Sequence, residues 1–328
     1  MTKCGKIIRT IRKNRTFLLS THVNPDPDAL GSELALAGYL RGLGKKVHVV
    51  NEAPVPKRFH FLPGVNGIKG YNARMRIDYD VAIVLDCGEL ERVGKVRNLV
   101  PSGKTIINID HHITNDFFGT LNLVDPRASS TAEIIHALIR ASKGKLTHDV
   151  ALNLYVGIMT DTGSFRFENT TARVHHVAGD LMRFNFSVKD LYRQVYGSIP
   201  CADLRQFAKL MSRFEVLFDG KVVCLELSRK TMSRFSRQFD LRDAIFQFLR
   251  SMRGVEVVAI FTQTGKAATR VNLRSTENFD VAALASHFRG GGHKRASGCL
   301  IEKNMKEARR NFLARLGESL RVKRGSGQ

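Results

Sequence analysis

At 328 residues the chain is longer than one hydrophobic core usually serves, so two domains are expected; 43% of it is hydrophobic, and no apolar run nears the roughly 18 residues of a membrane span. The five cysteines (Cys4, Cys87, Cys201, Cys224, Cys299) form no CxxC pair, which argues against a disulfide framework or zinc knuckle and for a reducing cytoplasm. The net charge of +22 is uneven, with 26 Lys+Arg against 18 Asp+Glu over residues 1–190 and 26 against 12 over 191–328, and it permits a nucleic-acid partner without proving one.

The first fifteen residues are basic, and only Phe17-Leu18-Leu19 follows before polar sequence, so a secretory signal is not expected. Residues 16–21 read as a first strand. Over 30–43, Leu30, Leu34, Ala37 and Leu40 fall at helical spacing, and Gly42 and Gly44 end the run. Short stretches rich in Val and Ile at 47–50, 81–85 and 105–109 suit a buried, mostly parallel sheet with helices on both faces. Helices are predicted over 131–141, 149–160 and 172–184. Strand signals then fade, and Gly197 and Pro200 mark residues 189–212 as a linker between a domain of residues 1–188 and one of 213–328. The second, smaller domain is predicted as mixed α/β. It opens with strands at 214–218 and 221–227 around Asp219-Gly220, a hairpin signal. A helix over 241–250, strands at 255–262 and 268–273, and a helix over 281–288 follow. A Gly290-Gly291-Gly292-His293 loop and a charged helix over 305–320 complete it.

Four stretches end in acid or imidazole after apolar runs: His22 to Asp28, Asp86, Asp110-His111-His112, and Asp161. A parallel sheet delivers such groups to one place from the C-terminal ends of its strands. A set of carboxylates with imidazoles implies a pair of divalent cations, common in enzymes that hydrolyse phosphate esters. Pro25 and Pro27 stiffen an extended loop, in which Asp26 and Asp28 point the same way and address neighbouring ions. Asp28 alone reads equally well as the N-cap of the following helix. Asp86 leaves what reads as a central strand, which makes it the candidate bridging ligand. Of the adjacent His111 and His112, one is expected to join a metal shell. Cys87 reads as a small buried residue, not a nucleophile.

The Asp-His-His triplet, the upstream His22-x-x-x-Asp26-x-Asp28 element, the lone Asp86 and the later Asp161-Thr162-Gly163 together resemble the DHH phosphoesterase superfamily. Gly290 to His293, with Lys294-Arg295-Ala296-Ser297-Gly298 behind it and Arg274-Ser275, Phe279-Asp280-Val281 and Ala285 before it, resembles the DHH-associated C-terminal domain. The resemblance covers nearly the whole chain, in the family's order. In size and domain pairing it is most similar to the compact members, nanoRNA oligoribonucleases that also act on 3′-phosphoadenosine 5′-phosphate.

The resemblance implies that His22, Asp26 and Asp86 hold one metal ion. Asp28, Asp86, His111 and Asp161 would hold a second, with Asp86 bridging. Asp110 would orient a histidine, and His112 would face the substrate phosphate. Arg274, Gly291, Gly292 and His293 would bind the far end of the substrate, with Lys294 adding positive charge. Arg289 departs from the longer glycine run usual in the family. Oxygen and imidazole ligands without thiolate favour Mn²⁺, with Mg²⁺ and Co²⁺ as alternatives. The implied partners are short RNA oligonucleotides and nucleotides, not a membrane, and a homodimer is left open. Two rivals stay open as well. One is a phosphodiesterase for cyclic or linear dinucleotides of second-messenger turnover, and the other a non-catalytic RNA-binding protein using its basic face.

Overall fold

The computed structural model describes residues 2–197, 199–236, 239–275 and 279–325. The chain divides into two compact units, Met1–Ser198 and Ile199–Gln328. Among the described residues no helix is long and apolar enough to cross a membrane.

The first unit runs α1 (Lys3–Lys13), β1 (Thr16–Ser20), α2 (Pro27–Gly42), β2 (Lys46–Asn51), β3 (Ile68–Gly70), β4 (Val81–Leu85), β5 (Thr105–Asp110) and β6 (Leu121–Val124). The helices α3 (Thr131–Ala141), α4 (His148–Asp161), α5 (Ala172–Met182) and α6 (Val188–Tyr196) follow. Its six strands are all parallel, in the order β3-β2-β1-β4-β5-β6. The winding therefore reverses between β1 and β4, and the crevice beyond the strand ends at such a reversal is where open α/β sheets bind ligands.

Alternate residues of each strand serve opposite faces. Phe17, Leu19, Val81, Ile83, Leu85, Ile107 and Ile109 pack under the α-helices. Leu18, Ala82 and Val84 face a smaller cluster with Tyr79, Val93 and Val96, closed by the 3-10 turns of Leu90–Leu99. Burying both faces explains why these strands read as unbroken apolar runs.

The second unit contains α7 (Cys201–Met211), β7 (Glu215–Leu217), β8 (Val222–Leu227), α8 (Arg229–Met232), α9 (Leu241–Arg250), β9 (Val257–Gly265) and β10 (Ala268–Ser275). It ends with α10 (Val281–Ser286), β11 (Gly291–His293), β12 (Ala296–Ile301) and α11 (Met305–Gly325). The mixed sheet runs β11-β12-β10-β9-β8-β7, with only β8 and β9 parallel. Phe312 and Leu316 of α11 cover one face, and Ile245 and Leu249 of α9 the other.

Three expectations need correction. The extended loop ends sooner than its prolines suggest, because Asp26 caps α2 by accepting from the Ala29 N–H at 3.0 Å, and Pro27 opens the helix. Asp26, not Asp28, is thus the N-cap. The Gly290–His293 stretch is not a loop: Gly291 to His293 form an edge strand on β12. A Cβ at Gly290 would strike the Gly298 carbonyl, so glycine lets this backbone lie flush. The left-handed residue at the end of α10 is Arg289 (φ 56°), although a glycine is usual there. Residues 189–212 are mostly helical, in α6 and α7, and the division between the two units falls among them.

Candidate metal centre

His22 follows β1, and Asp86 follows β4, the two strands that flank the reversal. Asp110 ends β5 and carries His111 and His112 beyond it. Asp161 is the last residue of α4, and Asp28 lies in the first turn of α2. Residues scattered over 140 positions of sequence thus meet at one edge of the sheet.

Three overlapping groups among the described residues have ligand atoms all within 4.8 Å of one another: His22, Asp26 and Asp86; Asp28, His111 and Asp161; and Asp86, His111 and His112. Asp86 lies at the centre, 2% exposed. Its Oδ2 is 3.6 Å from His22 Nε2, and its Oδ1 is 3.6 Å from His111 Nε2 and 3.7 Å from His112 Nδ1. His111 Nε2 also lies 3.3 Å from Asp161 Oδ2. Asp86 adopts a left-handed backbone (φ 56°), costly for a side chain with a Cβ and typical of functional positions. Asp26 and Asp28 do fall in different groups, but through a helix start and not through extended alternation.

The electrostatics divide the carboxylates. Burial alone would raise Asp86, but the hydrogen bond with His22 and the charges of His111 and His112 hold it well below the usual range. Burial and repulsion from Asp86 push Asp28 well above it, and burial with repulsion from Asp26 and Asp86 does the same to Asp161. Crowded carboxylates that resist ionising together are the environment a cation relieves. The donors are oxygen and imidazole nitrogen without thiolate, a set suited to hard or borderline divalent ions.

Supporting contacts surround this cluster. Asp110, fully buried, holds His112 Nδ1 at 2.6 Å. Burial works to raise Asp110, but the bond to His112 prevails and lowers it, while the same bond raises His112 against its own burial. Asn115 Nδ2 donates to Asp110 Oδ2 at 2.6 Å and to Asn108 Oδ1 at 2.8 Å. Asp28 accepts from the N–H groups of Thr131 (2.7 Å) and Ala132 (3.0 Å) at the start of α3, where a helix favours negative charge. Thr131 and Asn115 were not singled out from the sequence. Only the Ser130-x-x-Glu133 pattern hinted at order there: Ser130 Oγ caps α3 by accepting from the Glu133 N–H at 3.2 Å, and the Glu133 carboxylate accepts from the Ser129 N–H at 2.7 Å. Cys87 is fully buried and its thiol is pushed up by that burial, so it makes no nucleophile.

In the second unit, Arg274 stacks on Phe246, with Cζ 4.8 Å from the ring centroid, and burial lowers its pKa. Its β10 position pairs with Ala296, close to the β11–β12 turn that carries exposed Lys294. Gly291 and Gly292 are exposed on β11; the side chain of His293 lies outside the described residues.

Comparison with known proteins agrees with this picture. The model of the DHH family, N-terminal domain, matches residues 16–158, and that of the DHHA1 domain matches residues 235–321. The chain is 31% identical over 284 residues to the bifunctional oligoribonuclease and PAP phosphatase NrnA of Thermus thermophilus, covering 87% of this chain and 83% of that one. With the Bacillus subtilis protein of the same name it shares 30% over 302 residues, covering 90% and 92%. The crystal structure of an exopolyphosphatase-related protein from Bacteroides fragilis superposes with a TM-score of 0.89 at 25% identity, covering 96% of each chain. With its motifs in place at the strand ends, the chain belongs to the DHH family, and carries a DHHA1 domain after the DHH domain.

Proposed function

We propose that this chain is a two-metal phosphoesterase that hydrolyses short oligoribonucleotides to mononucleotides and removes the 3′-phosphate of 3′-phosphoadenosine 5′-phosphate. The observation that carries this reading is Asp86, a buried carboxylate within 3.7 Å of three imidazoles and common to two of the cation-binding groups. The names of the Thermus and Bacillus relatives support the substrate class.

In this reading His22, Asp26 and Asp86 hold one divalent cation, and Asp28, Asp86, His111 and Asp161 a second. Manganese is our choice for both, on the chemistry of the donors. Such a pair, when bound, supplies a water activated near neutral pH and a positive field on the phosphoryl group. Asp110 fixes the orientation of His112 and favours its protonated form, which offsets charge building on the phosphoryl oxygens. Arg274, Gly291, Gly292, His293 and Lys294 bind the remainder of the substrate. The five free cysteines are in keeping with a cytoplasmic setting.

The test is a product-length assay with Mn²⁺ on a ladder of labelled RNAs, with 3′-phosphoadenosine 5′-phosphate and linear and cyclic diadenylate in parallel. Dimers to pentamers should be trimmed to mononucleotides well ahead of long RNA. Equal degradation of long duplexes refutes the substrate assignment, and a preference for cyclic diadenylate moves it to second-messenger turnover. Asp86→Ala should abolish hydrolysis yet spare RNA binding.

A further inference from the structure

We infer that Asn51 and Thr21 are positioning residues of the metal centre: with Glu33 they form a buried string of hydrogen bonds that sets how His22, Asp26 and Asp86 lie relative to one another. This role rests on the two-metal phosphoesterase reading and adds to it residues that touch no substrate.

β1 and β2 pair in register up to Leu19 and Val49, and β1 and β4 up to Ser20 and Val84. Beyond those pairs the strands part, and the backbone groups that follow need other partners, because an unpaired buried N–H or C=O is costly. Side chains take over there. Asn51 Oδ1 accepts from the Thr21 N–H at 3.3 Å, and the Thr21 hydroxyl donates to the Leu85 carbonyl at 2.8 Å. Asn51 Nδ2 in turn donates to Glu33 Oε2 at 2.8 Å. Thr21 and Glu33 are 0% exposed and Asn51 1%, so water does not compete for these bonds. Turned end for end, the Asn51 amide would set its Nδ2 against the Thr21 N–H, donor against donor.

The string reaches each member of one cation-binding group. Thr21 precedes His22, Leu85 precedes Asp86, and Glu33 lies seven residues, about two turns of α2, after Asp26. The Thr21–Leu85 bond thus ties the chain just before His22 to the chain just before Asp86, whose side chains approach to 3.6 Å from different strands. On its other side His22 is held as well, since the Val23 N–H donates to the Arg92 carbonyl at 2.8 Å.

Glu33 Oε1 is buried with no hydrogen-bond partner among the described residues. Burying a carboxyl group with an oxygen unsatisfied costs stability, and an apolar side chain at position 33 would avoid that cost. What the carboxyl group provides is the acceptor that aims the Asn51 amide.

The test compares wild type with Asn51→Leu, Thr21→Val and Thr21→Ser by Mn²⁺ calorimetry, electron paramagnetic resonance of the Mn²⁺-loaded chain, and dinucleotide hydrolysis. Asn51→Leu and Thr21→Val should each weaken Mn²⁺ binding about 10–100-fold and lower kcat, with KM near that of wild type. The exchange-coupled signal of a manganese pair should give way to that of isolated ions. Thr21→Ser, which keeps the hydroxyl, should stay close to wild type in the spectrum and the titration. If Asn51→Leu does not fold, Thr21→Val decides, because it keeps the shape of the side chain. A lower Tm with wild-type Mn²⁺ affinity and an intact paired signal marks a merely structural role and overturns the assignment, as does Thr21→Ser as impaired as Thr21→Val. Wild-type protein that binds a manganese pair but hydrolyses no phosphoester defeats the phosphoesterase reading alone, because titration and spectrum still decide the roles of Asn51 and Thr21.

Discussion

The hydroxyl of Thr131 donates to Asp86 Oδ1 at 2.9 Å. The backbone N–H of the same residue donates to Asp28 Oδ2 at 2.7 Å, so the first turn of α3 holds a carboxylate from each of two groups that could hold a cation. Both bonds are buried, and neither carboxylate can turn without giving one up.

Thr131→Val keeps the shape and the backbone bond but removes the donor to Asp86. Partners that orient metal ligands contribute about 10–100-fold in metal affinity. A loss of that size is expected in a Mn²⁺ titration by calorimetry, with near-native circular dichroism. An affinity equal to wild type shows that Asp86 is oriented without Thr131.

Metal binding should stabilise the fold more at high pH than at low. The folded-state pKa values of Asp28 and Asp161 lie well above the carboxylate range. The metal-free fold therefore keeps protons that the unfolded chain has released, and it loses stability as pH rises through those raised values. Cations bind the ionised ligands and reverse the loss, by about 4 kcal/mol at a thousandfold excess over Kd. The rise in Tm on adding Mn²⁺ should be larger near pH 8 than near pH 5.5. Equal rises contradict this electrostatic description.

Glu33 sits fully buried in α2 with Asn51 Nδ2 at 2.8 Å, and burial moves its pKa from 4.5 to about 8. The folded state holds this proton where the unfolded state does not, so stability falls as pH rises from about 4.5 to about 8. Glu33→Gln retains an acceptor for Asn51 and removes the titration. Urea unfolding should show wild type losing ground to the variant across that window, by at most about 1.4 kcal/mol per pH unit. Parallel pH profiles would mean that Glu33 ionises normally.

Asn115→Ala leaves Asp110 Oδ2 and Asn108 Oδ1 without their donor in a region closed to water. A loss of about 1–3 kcal/mol in unfolding free energy is expected. A lower kcat should accompany it, since Asp110 holds His112. Wild-type stability and rate together would remove Asn115 from the network.

The strands were legible where burial on both faces leaves an unbroken apolar run. Val81–Leu85 is the example, and its bounds follow from the sequence alone. Residues 121–124 are only half buried, and the strand there went unread. The helix Lys3–Lys13 buries just Ile7 and Ile11 beneath a basic surface, so its stripe was lost in the charge. Gly291–His293 carries too little apolar surface to announce a strand. Within the site, the acids and histidines were legible because each follows such a run and because several recur. Thr131 was not, since its partner Asp28 is 103 residues away and a threonine at a helix start has an ordinary local role. Asn115 is likewise a polar residue in a turn, given meaning only by what folding brings beside it.

The central claim, that Asp86 joins two metal positions, is tested most directly by the anomalous difference map of a Mn²⁺-loaded crystal at the manganese edge. Two peaks about 3.5–4 Å apart are expected. One should lie toward His22 and Asp26, the other toward Asp28, His111 and Asp161, with Asp86 touching both. A single peak, or manganese remote from Asp86, contradicts the account.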